Sequence, residues 1–197
     1  MSDFAVIGDV GETLKKILTD DPWAGIIPKP EIALNSPREI KDDGGSPNKV
    51  SIFLYQIHEN IYLKNEGPLR MSDTVMRVPP MALDLLYLVT PYSNDKTQEK
   101  YILGKAMQIF HDNAVLTGSI LQGALSGSDE EVKLLFNPIS LDDLTKIWSA
   151  FQDVAYRLSV SYMVTPVRID STRELGTQRV VSKEATHSQM LPKREGM

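Results

Sequence analysis

Apolar residues recur at spacings of three and four over residues 4–18, where Ile7, Val10, Leu14, Ile17 and Leu18 share a face and Glu12, Lys15 and Lys16 fall elsewhere. That period predicts an amphipathic helix. Asp20-Asp21-Pro22 ends it, because the residue before a proline avoids helical geometry. Pro22, Pro28, Pro30, Pro37 and Pro47 punctuate the chain that follows, with a loop over Lys41-Asp42-Asp43-Gly44-Gly45-Ser46. Within this stretch only Glu31 to Leu34 reads as a short strand.

The period changes to two over residues 49–57. Val50, Ile52 and Leu54 lie on one face and Phe53, Tyr55 and Ile57 on the other, so this strand is expected to be covered on both sides. A second two-sided strand is predicted over 82–90, bounded by Pro79-Pro80 and Pro91, since proline donates no ladder hydrogen bond. Asp84 interrupts its apolar run and needs a donor if buried.

Residues 95–111 return to the helical period, with Ile102, Ala106, Ile109 and Phe110 in line and Leu103 and Met107 widening the stripe. Residues 131–136 read as a strand. Ser140 followed by Asp143 resembles a capping box and opens a short helix whose stripe is Leu141, Leu144, Ile147, Trp148 and Phe151. The last strand, Tyr156 to Val164, sets Tyr156, Leu158, Val160, Tyr162 and Val164 against Arg157, Ser159, Ser161 and Met163. This is the alternation of a half-exposed antiparallel strand, and Pro166 limits any continuation to an edge piece. Helices and strands mix without a βαβ rhythm. The expected fold is α+β: a mostly antiparallel sheet packed by amphipathic helices, one domain over residues 1–167 with a polar, flexible tail over 168–197.

Charge modifies this picture in one place. The 197-residue chain carries −5 overall, but residues 1–167 carry −7 and residues 168–197 carry +2. An acidic body does not favour nucleic acid, whose binding rests on neutralising phosphates. The chain has no cysteine, so thiolate chemistry and disulfides are absent. No apolar run is long enough to insert in a membrane. The start of the chain is acidic, and Gly8-Asp9 breaks its apolar run, so it is expected to be cytoplasmic when made rather than secreted by a signal sequence.

The chemistry of an enzyme is not signalled. His58, His111 and His187 share no metal-ligand spacing, so no metal site is expected. Asp42-Asp43 and Asp129-Glu130-Glu131 sit in polar loops, and Asp142-Asp143 lies in a first helical turn, where negative charge is favoured. Gly123-Ala-Leu-Ser-Gly127 has the wrong order for a nucleophile elbow and reads as a flexible loop. No glycine-rich phosphate cradle follows a strand, and no cofactor is expected.

Five ordered segments carry a resemblance: Phe53-Leu54-Tyr55-Gln56, Pro80-Met-Ala-Leu-Asp-Leu85, Leu103-Gly-Lys-Ala-Met107, Trp148-Ser-Ala-Phe151 and Tyr156-Arg-Leu-Ser-Val160. In order and spacing the chain resembles the small cap proteins, or tube terminators, of phage-tail-like contractile injection systems of the antifeeding-prophage and virulence-cassette type. The resemblance spans residues 3–170. It departs from the family at Ala114, where a proline is common after His-Asp-Asn, and in having a tail where some relatives carry a further domain.

The resemblance implies an assembly role in the cytoplasm: a homo-hexameric ring that terminates the inner tube and anchors the last sheath layer, with tube and sheath proteins as partners, in a particle that is either released from the cell or anchored. The alternative is an assembly chaperone or adaptor that binds tube or sheath subunits and leaves. Either role needs exposed contact residues. Those expected are Arg157 and Ser159 on the less apolar face of the last strand, Arg168 beyond Pro166, and Arg173 and Arg179 in the tail. The loops Lys41–Asn48 and Met71–Thr74 are placed to reach a neighbour.

Overall fold

The alternation along residues 49–57 resolves into two separate cores, one on each side of a single sheet. The computed structural model describes residues 4–26, 28–40, 46–72, 75–152 and 154–176. In chain order its elements are α1 (Val6–Asp20), β1 (Glu31–Ala33), β2 (Lys49–Glu59), β3 (Leu69–Arg70), β4 (Val75–Arg77), β5 (Met81–Tyr92), α2 (Lys96–Asp112), β6 (Val115–Thr117), β7 (Glu131–Phe136), α3 (Leu141–Ser149), β8 (Val160–Ile169) and β9 (Glu174–Gly176). Six strands join in the order β1-β2-β5-β8-β7-β6, and three short ones form a second sheet, β3-β4-β9. Among the described residues only the β1–β2 pairing is parallel; the others are antiparallel. The α+β class expected from the pattern is the class observed.

The larger core lies under α1 and α2. Val10, Leu14 and Leu18 of α1 and Ile102, Ala106, Ile109 and Phe110 of α2 pack on Val50, Ile52, Leu85, Tyr87, Val132, Val164 and Val167. Fully buried leucines such as Leu14 and Leu18 each contribute about 1.5–3 kcal/mol. The smaller core lies on the opposite face, where Leu144, Trp148 and Phe151 cover Leu88, Phe53 and Tyr55. Helix α3 begins as the sequence predicts, with the Ser140 hydroxyl accepting from the Asp143 amide at 3.1 Å. It ends at Ser149, so Phe151 joins the core from beyond the helix.

Several expectations need correction. The far end of β2 is not covered: Ile57 is exposed, and the register shifts between Leu54 and Gln56. Pro91 does not end β5 but pairs with Val50 inside it. Pairing with β8 stops at Val89, so the proline removes no bond from that ladder. The last strand starts four residues later than expected, at Val160, and runs through Pro166 to Ile169 between β5 and β7. The proline is accommodated where the β5–β8 register shifts between Leu83 and Leu85 and where β7 pairing has ended at Thr165. Residues 168, 169 and 174–176, assigned from sequence to a polar tail, are strand residues; β9 pairs with β4 through Met76 and Leu175. The Gly123–Gly127 stretch is pinned rather than loose, with Leu125 buried and the Ala124 amide held by the Asp9 carboxylate.

The turn after α1 is closed by Trp23, whose indole Nε1 donates to the Leu18 carbonyl at 2.7 Å. At the other end of the sheet, Asn60 joins three strands. Its Nδ2 donates to Asp84 Oδ1 at 2.9 Å and to Thr165 Oγ1 at 3.2 Å, and the Thr165 hydroxyl donates to the same Asp84 oxygen. Asp84 thus has the donors that its place in an apolar strand demands.

Candidate functional site

Residues expected at contacts separate to the two ends of β8, a strand of about 30 Å at ordinary rise per residue. Arg157 and Ser159 precede its first residue; Arg168 lies near its last, and Arg173 follows. The structure therefore makes two neighbourhoods from what the sequence grouped as one set. Arg179 lies outside the described residues, as do positions 41–45 of the first loop and 73–74 of the second.

At the first end, Arg157 is anchored rather than free. Its Nη1 donates to Glu99 Oε1, and its guanidinium lies over the Tyr92 ring, 4.8 Å from the centroid. Glu99 is shared with Lys96, whose Nζ lies 3.1 Å from the same carboxylate. Burial pushes the Tyr92 phenol up to about 12, with Arg157 drawing it down and Glu99 raising it further. The Tyr92 hydroxyl donates to the Pro37 carbonyl at 3.4 Å.

Ser159 is the clear correction. The sequence places it on an exposed face, but it is only 8% exposed, and its hydroxyl bonds to Thr90 Oγ1 at 2.9 Å and donates to the Arg157 carbonyl at 3.1 Å. Ser161 is buried on the same face, within 2.9 Å of the Tyr55 hydroxyl and 3.1 Å of Asn137 Nδ2. This face of β8 looks polar in sequence because its hydroxyls pair across the sheet, not because water covers it.

Around Arg157 lies a cavity of about 330 Å³ whose lining includes Pro37, Arg38, Ile40, Lys49, Tyr92 and Arg157. It sits between the proline-rich segment before β2, the end of β5 and the chain leading into β8.

At the second end, Arg168 Nη1 donates to Glu130 Oε2 at 3.3 Å, and Arg173 is exposed, its carbonyl accepting from the Val78 amide at 3.3 Å. The small sheet, the turn after β2 and the first residue of β5 expose apolar side chains, of which the sequence singled out as a contact only Met71. Ile61 is 72% and Tyr62 88% exposed, and Leu69, Met71, Met81 and Leu175 are exposed as well. The Asn60 carbonyl oxygen of the side chain accepts the Tyr62 and Leu63 amides at 3.0 and 3.1 Å, which fixes the turn that carries this pair. A further apolar patch on α3 groups Leu141, Thr145, Trp148 and Tyr156. Among the described residues the buried Trp148 Nε1 has no hydrogen-bond partner. Ile61, Tyr62, Leu69 and Leu175 were missed because the end of a periodic segment carries no signal of what it faces.

No group of histidines and carboxylates among the described residues is arranged to hold a metal ion. Among the same residues no helix is long and apolar enough to cross a membrane. What the arrangement offers is contact surface: a cavity beside the anchored Arg157 at one end of β8 and exposed apolar side chains at the other.

The family described as Pvc16 N-terminal domain matches residues 9–183. No curated protein matches the chain. Among solved structures the fold is similar to the sheath/tube terminator of PVC, an extracellular contractile injection system, in its extended state. That match has a TM-score of 0.64 at 20% identity and covers 97% of this chain and 66% of that one. The tube-terminating cap of the anti-feeding prophage is similar with a TM-score of 0.58 at 20% identity, covering 94% of this chain and 62% of the cap. The chain thus spans somewhat less than two thirds of the length of these two proteins.

Proposed function

The chain belongs to the Pvc16 N-terminal domain family, and from that premise we propose that it caps the inner tube of a phage-tail-like contractile injection particle. The observation that carries this reading is the family match over residues 9–183; the fold shared with the two terminator structures supports it. In this role the protein forms a hexameric ring on the distal end of the tube, stops its growth and anchors the last sheath layer. It is assembled in the cytoplasm and stays in the particle when that is released. The work is done by contact rather than by chemistry.

A ring requires that each subunit present two different edges which meet and close; an interface that fails to close would build a filament. Each joint needs to bury about 800 Å² per subunit to last. The exposed apolar side chains of Ile61, Tyr62, Leu69, Met71 and Met81 are suited to such a joint, because each gains by leaving water. Arg168 and Arg173 border that end of β8 and would give the joint its polar rim.

Electron microscopy of particles from a producer strain lacking this chain tests the proposal. Tubes of uncontrolled length, or tubes that shed their sheath, are expected. Particles of normal length with an intact distal cap would overturn it and favour a transient adaptor instead.

A further inference from the structure

We propose that the apolar groove on α3 is the docking site of this chain's own C-terminal segment, with Met190 and Leu191 seated against Leu141, Trp148 and Tyr156. The helix carries its apolar stripe further than the sheet covers it. Leu144 and Trp148 are buried in the smaller core, but Leu141, one turn earlier on the same stripe, is 71% exposed. Tyr156 and Leu158, in the chain that leads from α3 to β8, are exposed as well.

The groove has a volume of about 390 Å³ and is lined by Leu141, Thr145, Trp148, Ser149, Val154 and Tyr156. Its two hydroxyls are spent on α3 itself: Thr145 donates to the Leu141 carbonyl at 2.8 Å and Ser149 to the Lys146 carbonyl at 2.7 Å. What remains for an occupant is aliphatic wall and aromatic ring, with Trp148 and Tyr156 edge to face at 5.6 Å between centroids. The Trp148 indole adds one polar demand. Its Nε1 is buried and has no partner among the described residues, which is costly for a donor. The groove thus lacks an apolar cover and a hydrogen-bond acceptor. A stretch of extended chain supplies both, through its side chains and its backbone carbonyls.

The nearest such stretch is tethered to the same molecule. Beyond Gly176, the last residue of β9, the sequence continues to residue 197, and its apolar pairs are Val180-Val181 and Met190-Leu191. Strand β9 lies toward the Met81 end of β5, where the Val78 amide donates to the Arg173 carbonyl. Leu88, which α3 covers, is seven residues along β5 from Met81, about 23 Å away. Val181, five residues past Gly176, reaches at most about 18 Å, whereas Met190, fourteen residues past it, reaches up to about 50 Å. The second pair is therefore the one long enough to arrive. Pro192 follows it directly, and the residue before a proline avoids helical geometry, so Leu191-Pro192 favours the extended form that aromatic-lined grooves accept. A tethered segment also meets the groove at an effective concentration on the order of millimolar, which a separate partner of equal affinity would have to match. The docking is independent of the capping role.

The chain has no cysteine, so an introduced pair reports a single contact. The test is disulfide formation in the full-length protein carrying Thr145→Cys in the groove and Gln189→Cys beside Met190, under mild oxidant, read by mass spectrometry. The comparison protein pairs Gln189→Cys with Lys133→Cys, an exposed β7 position opposite Thr165 and so nearer the Met81 end of the sheet. The groove pair is expected to close at least tenfold faster, within one chain and at a rate independent of protein concentration. Leu141→Asp, in a first helical turn where acid is favoured, should slow it by at least tenfold. So should Met190→Asp with Leu191→Asp; circular dichroism checks that each variant folds. Equal rates for the two cysteine pairs, or no slowing by either substitution, would overturn the proposal. A disulfide that joins two chains would also overturn it and give the groove to a second copy.

Discussion

A Cβ on residue 123 would lie 2.1 Å from Asp9 Oδ1, while Asp9 Oδ2 accepts the Ala124 amide at 2.9 Å. Position 123 therefore admits glycine for two reasons: its φ of +58° lies in the left-handed region, and α1 delivers a carboxylate where any side chain would start. Gly123→Ala is expected to cost at least about 2 kcal/mol, measured by urea unfolding. Adding Asp9→Ala should recover part of the loss, because the two changes share one contact. A Gly123→Ala protein as stable as the parent would show that the turn is not held by α1.

Asn60 is buried, and its side chain makes four hydrogen bonds that tie β2 to β5, β8 and the turn bearing Ile61 and Tyr62. Asn60→Ala leaves Asp84 and two amides without that partner and should cost about 2–4 kcal/mol. Hydrogen exchange should quicken at the Tyr62 and Leu63 amides before the rest of the sheet. Unchanged exchange there would mean that the turn is held by something other than Asn60.

The Arg157–Glu99 pair is partly shielded, with side chains 32% and 15% exposed. A double-mutant cycle with Arg157→Gln and Glu99→Gln should give a coupling of about 1 kcal/mol, shrinking in 1 M salt. No measurable coupling would mean the ion pair does not orient the guanidinium.

Tyr92 sets an alkaline limit. Burial raises its phenol from the ordinary 10 to about 12, so the folded protein holds this proton more tightly than the unfolded chain. The stabilisation is whole below pH 10 and is lost as pH rises through about 12. The urea midpoint should fall across that window, and fall less steeply in Tyr92→Phe. Equal slopes would assign the alkaline loss to other groups, of which the buried Tyr87, also raised by burial, is the first to examine.

Sequence alone determined the elements whose signal is local. Helices α1 and α2 appear as stripes because one face of each must leave water, and Val10, Leu14, Ile102 and Phe110 are buried as their spacing predicts. The first half of β2 shows both of its cores as period-two alternation, with Val50 and Ile52 on one side and Phe53 and Tyr55 on the other. The ordered segments also pointed to the family that the match over residues 9–183 identifies.

The tertiary structure decided everything that depends on a partner distant in the chain. The strand order places β8 between β5 and β7, which buries Ser159 against Thr90, and lets a strand pass through Pro166 where the register shifts. The small sheet exists because residues 174–176 return to β4, and the cavity beside Arg157 exists because Arg38, Tyr92 and Arg157 converge from three separate segments. A local pattern reports whether a residue seeks water or a core. Which residue it then meets is set by long-range pairing, whose gain appears only once the chain has closed the loops between them.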